Sequence, residues 1–364
     1  MRQIPREEAL DSTAAMLSEG YNFIRNRARR HGCDAFETRL MFSKAICMTG
    51  EDAAAAFYGS GDRFTRRGAI PPTSLMALTD YGSVQLLDGE AHRWRKQMFL
   101  SILNGNSVQR LGDLFDAEWA RSVERWSRLR EVVLLDEAHG VLCRAACAWA
   151  GLRLSQSELQ DRTREFAAMV DGAGSAGPRN WRGLILRHRT ERWAEFLIHR
   201  FRTGRLDVDP GAPLAVVASH RDVSGQLLPV GVAAVELINL LRPIVAIARF
   251  IMFAALELHQ HPDCAARIRS GDNEYVGWFV HEVRRTAPFF AFIGGRSREA
   301  FHWKGIQIEK NAWVLLDLYG SNHDPRTWPD PEAFRPERFS NWDNHPFRLV
   351  PQGGGDHATG HRCA

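Results

Sequence analysis

The sequence predicts a mainly α fold with a small β portion, in a single domain that spans residues 1–364. Three observations lead to this prediction. Apolar residues recur at the three- and four-residue spacing of amphipathic helices over most of the chain. Stretches that alternate in the manner of strands are few. No linker rich in Pro, Gly or Ser and no internal repeat divides the chain.

Eight segments carry the helical periodicity. They are 6–30, 51–58, 89–104, 108–150 with breaks, 155–171, 181–202, 232–258 and 275–286. The segment 232–258 is the most apolar, yet charged residues and Pro243 interrupt it. Because charges are costly inside a lipid bilayer, we interpret this segment as a buried helix of a soluble protein and not as a membrane span.

The strand-like pieces form two predicted pairs. Residues 36–42 and 45–49 are expected to make an early hairpin. Residues 305–308 and 313–316 are expected to pair with each other around 309–311. The stretch 322–348 is rich in Pro, Trp and Asp and has no period, which indicates an ordered irregular segment.

Composition excludes several classes of protein. The chain has 364 residues, 45% of them hydrophobic and 25% charged, which is ordinary globular composition. A net charge of +4, with acidic and basic residues mixed, does not favour nucleic-acid binding. The six cysteines are too scattered for a secreted disulfide framework, and the first residues lack the apolar run of an export signal. We therefore expect a cytoplasmic protein.

A glycine-rich loop at the end of the sequence, 351–364, contains Cys363. Glycines let the backbone approach a flat cofactor closely, and His361 and Arg362 supply positive charge that would stabilise a thiolate ligand. Two other interpretations stay open. The loop is a surface loop with an incidental cysteine, or His357, His361 and Cys363 form a zinc site, although a fourth ligand at a typical spacing is missing.

A charge cluster is predicted upstream of this loop. Glu282 and Arg285 are three residues apart on one helix face, where they can form an ion pair. A single pair of this kind is usually a solvated surface contact. The segment 331–339, however, contains Arg338, which could complete a triad with them.

These three motifs, in this order and with Cys363 placed 81 residues after Glu282 (363 − 282), resemble those of the cytochrome P450 superfamily. The resemblance implies the cytochrome P450 fold and a haem b cofactor whose iron has Cys363 as its axial ligand. It also implies that Glu282, Arg285 and Arg338 have a structural role beneath the haem.

Arg242 and Pro243 distinguish the long apolar helix. Pro243 lacks the N–H that would bond to the carbonyl of Asn239, so the helix should bend there. Arg242 is a charge among Leu, Ile and Val, and a buried cation needs an anionic partner, which a substrate carboxylate could supply. Alternatively, Arg242 extends to solvent or pairs with a protein acid such as Glu236.

The Arg-Pro pair resembles that of the bacterial fatty-acid peroxygenases, and the likeness extends over essentially the whole chain. Matching passages are 62–64 with Arg66 and 68–69, 84–92 with 95–96, 169–171, 177–179, 242–243, 352–355 and 360–363. The resemblance makes Arg66, His92 and Lys96 candidates to bind the haem, with Arg66 and Lys96 at its propionates. It makes Gln85, Val170 and Phe289 candidates to line the substrate pocket, although each of these three could equally be ordinary packing.

The resemblance also implies a reaction. Hydrogen peroxide would hydroxylate a fatty acid at the α or β carbon without a redox partner, and the substrate carboxylate held by Arg242 would act as the general acid and base. Gln85, where some family members have His, favours hydroxylation over decarboxylation to a terminal alkene. The alternatives are a haem-poor, non-catalytic homologue, a fatty-acid carrier and a decarboxylase.

The sequence ends at Ala364, one residue after Cys363. Related proteins continue from this point into a proximal helix and further strands. The sequence therefore predicts a C-terminally incomplete domain that lacks those elements.

Overall fold

The computed structural model describes residues 4–59, 61–70, 76 and 82–356, without the side chain of residue 62. It divides into two compact units. The β-containing unit comprises Met1–Ile70 and Phe253–Ala364, and the helical unit comprises Pro71–Met252. The prediction of a mainly α fold with a small β portion is confirmed. The single domain stays a prediction.

The described elements follow in chain order. They are α1 Thr13–Glu19, α2 Phe23–His31, β1 Ala35–Leu40, β2 Ser43–Met48, α3 Glu51–Tyr58, β3 Phe64–Thr65, α4 Gly89–Ile102, α5 Gly105–Trp126, α6 Leu134–Trp149, α7 Gln156–Gly172, α8 Pro178–Arg202, α9 Pro213–Ser219, α10 Val230–Ala246, α11 Ala248–Gln260, α12 Pro262–Arg269, α13 Asn273–Thr286, β4 Phe292–Ser297, β5 Phe301–Trp303, β6 Ile306–Ile308, β7 Trp313–Asp317 and α14 Leu318–Asn322. Short 3-10 turns cover Gly20–Asn22, Gly61–Arg63, Val84–Leu86 and Pro336–Phe339.

The β-containing unit is built on a five-stranded sheet with the order β1-β2-β7-β4-β3. The predicted early hairpin is confirmed, since β1 and β2 pair antiparallel. The predicted pairing of 305–308 with 313–316 is wrong. β6 pairs instead with β5, while β7 lies parallel to β2 and antiparallel to β4. All five residues of β7 are buried. As a central strand it pairs along both edges, with β2 on one and β4 on the other, and neither is the strand next to it in the sequence.

The first predicted helix, 6–30, begins later and is broken. Arg6 forms a parallel bridge with Glu37 at the edge of β1, so the chain at Arg6 runs beside the sheet and is not helical. Gly20, with a φ of 56°, then interrupts the helix between α1 and α2. Residues in this left-handed region are mostly glycine, and glycine at this position therefore ends α1.

Helix α10 is the core of the helical unit, and 13 of its 17 residues are buried. Its apolar side chains pack with those of the neighbouring helices, including Phe166 of α7 and Ile198 of α8. The stretch Val230–Gln260 is long and apolar enough to cross a membrane, but 72% of its most apolar window is buried inside the protein. It is therefore a core helix, which agrees with the sequence-based interpretation.

Pro243 lies inside α10, and the helix is interrupted at Ile247, one turn further on. There the Ile247 N–H bonds to the carbonyl of Ile244, in the tighter 3-10 manner. The hydrogen bond that Pro243 lacks belongs to the preceding turn, at the carbonyl of Asn239. The bend expected there stays a prediction.

Asp317 is the buried acid that connects β7 to α14. Its Oδ1 accepts the N–H of Gly320 at 2.7 Å and its Oδ2 accepts the hydroxyl of Thr49 at 3.2 Å. A Cβ on Gly320 would lie 1.9 Å from Oδ2, so only glycine fits this turn. Burial raises the pKa of Asp317 to about 7, whereas an unfolded aspartate titrates near ~3.9.

This buried acid predicts a pH dependence of stability. The folded state holds the proton more tightly, so the free energy of unfolding should fall as pH rises from about 4 to about 7, by up to ~4 kcal/mol. Asp317→Asn keeps an acceptor for Gly320 and should remove this fall. Urea unfolding followed by circular dichroism between pH 4 and pH 8 measures the difference.

His323 titrates with the opposite sign, because burial lowers its pKa to about 4. The contribution of His323 to stability grows as pH rises, and His323 is present in both the wild type and Asp317→Asn. Only the difference between the wild type and Asp317→Asn therefore reports on Asp317. Equal pH slopes for the two proteins would refute the assignment.

Candidate functional site

Glu282 of α13 is the centre of a buried charge cluster in the β-containing unit. Its carboxylate takes two bonds from Arg285, Nε to Oε2 at 2.7 Å and Nη2 to Oε1 at 2.8 Å. Arg338 Nε reaches the same Oε1 at 3.1 Å. Glu282 and Arg285 are fully buried, and their three-residue spacing on α13 places them on one helix face. The structure thus brings the three predicted members together.

Arg285 also bonds to the backbone of the irregular segment that follows α14. Its Nη1 donates to the carbonyls of Asn322 at 3.0 Å and Pro331 at 2.9 Å. Arg338 donates to the carbonyls of Pro329 and Ala333, both at 2.9 Å. The ion pair therefore holds a segment that has almost no regular structure of its own.

The cysteine loop is described only as far as Asp356. Within it, the Gly355 N–H bonds to the carbonyl of Pro346 at 2.9 Å, and a Cβ on Gly354 would lie 2.8 Å from the same oxygen. Glycine is thus required where the loop passes close to the backbone. Cys363, and with it the alternative zinc ligands His357 and His361, lies outside the described residues, so the ligand assignment stays a prediction.

Arg242 is 9% exposed and lies on α10 beside Pro243. The sequence left Glu236 as a possible partner for it. In the structure Glu236 is paired elsewhere, with Arg95 Nη1 at 2.8 Å and with the N–H of Val84 at 2.8 Å. The described contacts of Glu236 therefore do not include Arg242.

The three candidate pocket residues belong to different elements. Gln85 is half-buried in the turn Val84–Leu86, and its Oε1 lies 3.5 Å from Asn239 Nδ2 of α10. Val170 is buried near the end of α7, in the same unit. Phe289, in the β-containing unit, follows α13 and packs edge-to-face against Phe290. The pocket assignment itself stays a prediction for all three.

The candidate cofactor residues are buried bases. His92 and Lys96 lie one turn apart on α4, so they share one helix face, and both are less than 8% exposed. Arg66, 8% exposed, follows β3 in the β-containing unit. Buried positive charge suits an anionic group such as a carboxylate.

Several solved structures of cytochromes P450 are similar to this chain in both sequence and fold. Cytochrome P450EX alpha, solved with myristic acid, is 40% identical with a TM-score of 0.94, and the match covers all of this chain and 87% of that one. Cytochrome P450SP alpha is 44% identical at a TM-score of 0.94, covering 98% and 87%. A variant of cytochrome P450 OleT in complex with arachidonic acid is 30% identical at 0.96, covering 100% and 86%.

The chain belongs to the fatty-acid peroxygenase family of cytochromes P450. The model of the cytochrome P450 family matches residues 259–358. A putative cytochrome P450 138 of Mycobacterium tuberculosis is 22% identical over 93% of this chain. Rhazimal synthase of Alstonia scholaris is 31% identical over 139 residues, and the match spans only 28% of that protein's length. The predicted cytochrome P450 fold and family are confirmed.

Membership of this family implies a haem, and the described residues of the helical unit fit such a group. Pro243 and Ile247 are exposed one turn apart, while the three residues between them are buried, and together they form a small apolar patch on the helical unit. Lys96 supplies buried positive charge on α4, and His92 lies one turn away on the same helix. A flat apolar macrocycle that carries two carboxylates requires these two kinds of surface.

The pairing of Glu236 with Arg95 is the part of the site that the sequence did not predict. The sequence offered Glu236 only as a possible partner of Arg242, and no local pattern pointed to Arg95. A signal was nevertheless present, because a buried acid in a core helix requires a cationic partner. Its spacing of three residues from Asn239 also indicated a polar face on α10.

Arg285→Lys should lower the free energy of unfolding by about 2–4 kcal/mol, because lysine keeps the charge but cannot bond to both carboxylate oxygens and two carbonyls at once. Arg335→Lys is the matched control. The Arg335 side chain is 54% exposed and pairs with Asp330, so its loss should stay below about 1 kcal/mol. Urea unfolding measures both, and equal losses would contradict a special role for Arg285.

Proposed function

We propose that this chain is a haem-thiolate peroxygenase that uses hydrogen peroxide to hydroxylate fatty acids at the α or β carbon. The observation that carries the proposal is Arg242, a cation on the buried helix α10, next to the proline that precedes the break in that helix. In an apolar environment a carboxylate is the favoured partner of a guanidinium, and a fatty acid brings both the carboxylate and an apolar tail.

The cofactor of the proposed enzyme is haem b, which the Cys363 thiolate would hold through its iron. When bound, haem supplies the iron at which the O–O bond of peroxide is cleaved, and thiolate donation favours that cleavage. Arg66 and Lys96 would hold the propionates of the cofactor by their charge, and His92 would contact the cofactor. Dioxygen and a redox partner are not needed in this scheme, and the proposed location is the cytoplasm.

Arg242 would hold the fatty-acid carboxylate in a two-point hydrogen-bonded pair. The held carboxylate would be in a position to accept and return a proton, which is general base and acid catalysis by the substrate. Because Arg242 would fix this end of the substrate, the α and β carbons would be the ones held nearest to the cofactor. Gln85, Val170 and Phe289 would line the path of the acyl chain.

The test is product analysis with myristic acid and hydrogen peroxide, without NADPH. The CO difference spectrum of the reduced protein first verifies that thiolate-ligated haem is bound. The wild type should form 2- or 3-hydroxymyristic acid, detected by mass spectrometry. Arg242→Ala should lower kcat/KM by about 100-fold or more, since it removes the group that fixes the reacting carboxylate.

Arg144→Ala serves as the matched control, because Arg144 is a half-buried arginine of α6 that pairs with Glu118 at 2.7 Å. Its activity should equal that of the wild type. Undiminished activity in Arg242→Ala would overturn the role of Arg242. A terminal alkene as main product would indicate a decarboxylase, and fatty-acid binding that survives Cys363→Ala without any turnover in the wild type would indicate a carrier.

A further inference from the structure

The segment that carries Gln85 lies along one face of α10. Gly82, with a φ of 84°, packs so closely on Val232 that a Cβ would lie 3.0 Å from its Cγ2. Two residues later, the N–H of Val84 donates to Glu236 Oε1 at 2.8 Å. Gln85 then faces Asn239. The segment is therefore bound to the helix at three successive points.

These three points form a line on the helix. Val232, Glu236 and Asn239 are separated by four and then three residues, which places them on one face of α10. Arg242 follows Asn239 by another three residues and extends the same face by one turn. Gln85 is consequently held one helical turn from the residue proposed to bind the substrate carboxylate.

Among these three residues of α10, Glu236 accepts hydrogen bonds from both the segment and α4. It is fully buried, and Oε1 accepts both the Val84 N–H and Arg95 Nη1, each at 2.8 Å. Burial raises the pKa of Glu236, and the nearby Arg95 charge opposes that rise. Arg95 is itself buried on α4, so it supplies the compensating charge in the place where the carboxylate needs it.

The carboxylate also fixes the direction of two amide groups. A carboxylate only accepts hydrogen bonds, so Asn239 presents its Nδ2 to Glu236 Oε2, at 3.1 Å. The same Nδ2 lies 3.5 Å from Gln85 Oε1 and holds that oxygen toward α10. The two N–H donors of Gln85 are therefore directed away from Asn239.

We propose that Glu236, held by Arg95, is a positioning residue that orients the Gln85 amide so that its N–H donors face the bound fatty acid. This inference rests on the proposed function, in which Gln85 lines the pocket. Glu236 touches neither substrate nor cofactor in this scheme and acts through Asn239 and Val84.

Glu236→Gln tests the proposal. The new amide would present a donor to Asn239 in place of an acceptor, which favours a flipped Asn239 and a reoriented Gln85. The Kd of myristic acid, measured by calorimetry on the holoenzyme, should rise about three- to tenfold, the worth of one hydrogen bond. The ratio of α- to β-hydroxylated product should shift, and kcat should change less than KM.

Glu165→Gln is the matched control. Glu165 is a buried acid of the same unit, and it pairs with Arg162 at 2.9 Å and Thr190 at 2.7 Å. Its Kd and product ratio should equal those of the wild type. If the wild type makes hydroxy acids while Glu236→Gln keeps the wild-type Kd and ratio, the positioning role is refuted and the proposed function stands.

A wild type that makes no hydroxy acid would refute the proposed function, and the calorimetric comparison would still test the orientation of Gln85. If Glu236→Gln does not fold, as judged by circular dichroism, a double-mutant cycle replaces it. Asn239→Ala should then alter the Kd in the wild-type background and not in the Gln85→Ala background. Additive effects of the two substitutions would overturn the proposal.

Discussion

Helix α10 buries two charged side chains, Glu236 and Arg242, and the compensation of Glu236 connects α10 to its neighbours in the helical unit. Glu236 is fully buried and obtains its opposite charge from Arg95, 141 residues away in sequence. An isolated buried carboxylate would be far less stable than one that is paired and hydrogen-bonded. The same carboxylate accepts the N–H of Val84 and holds the turn Val84–Leu86 against α10. One buried carboxylate thus binds its compensating charge and also places the candidate pocket residue Gln85.

A similar arrangement organises the β-containing unit. The Glu282–Arg285 pair lies on a regular helix, but most of its outward bonds go to backbone carbonyls of an irregular segment. A segment without a helix or sheet ladder must satisfy its carbonyls in another way, and a guanidinium with five donors can serve several at once. The pair therefore provides hydrogen-bond partners between residues 322 and 338 that a helix or a sheet would otherwise supply.

The parts of the structure that were predicted from the sequence are those with short-range signals. Glu282 and Arg285 meet because helical periodicity places residues three apart on one face, and β1 and β2 pair because a tight turn joins them. Each of these predictions needed only a few neighbouring residues.

The predictions that failed depend on distant partners. The strand β7 was paired with the nearest strand-like stretch, whereas its neighbours are β4 and, more than 260 residues earlier, β2. The pairing of Glu236 with Arg95 was missed for the same reason, since neither local pattern identifies the other. Arg6 was assigned to a helix because the bridge it makes to Glu37 belongs to tertiary structure.

In the proposed reaction, peroxide and not dioxygen supplies the oxygen atom. Arg242 holds the substrate carboxylate, so that the neighbouring α or β carbon is hydroxylated. Reaction of myristic acid with ¹⁸O-labelled hydrogen peroxide, under anaerobic conditions and without an electron donor, tests it most directly. The proposed reaction should yield 2- or 3-hydroxymyristic acid that carries ¹⁸O in the new hydroxyl group. Hydroxylation that requires dioxygen and a reductant, or a product without the label, would contradict it.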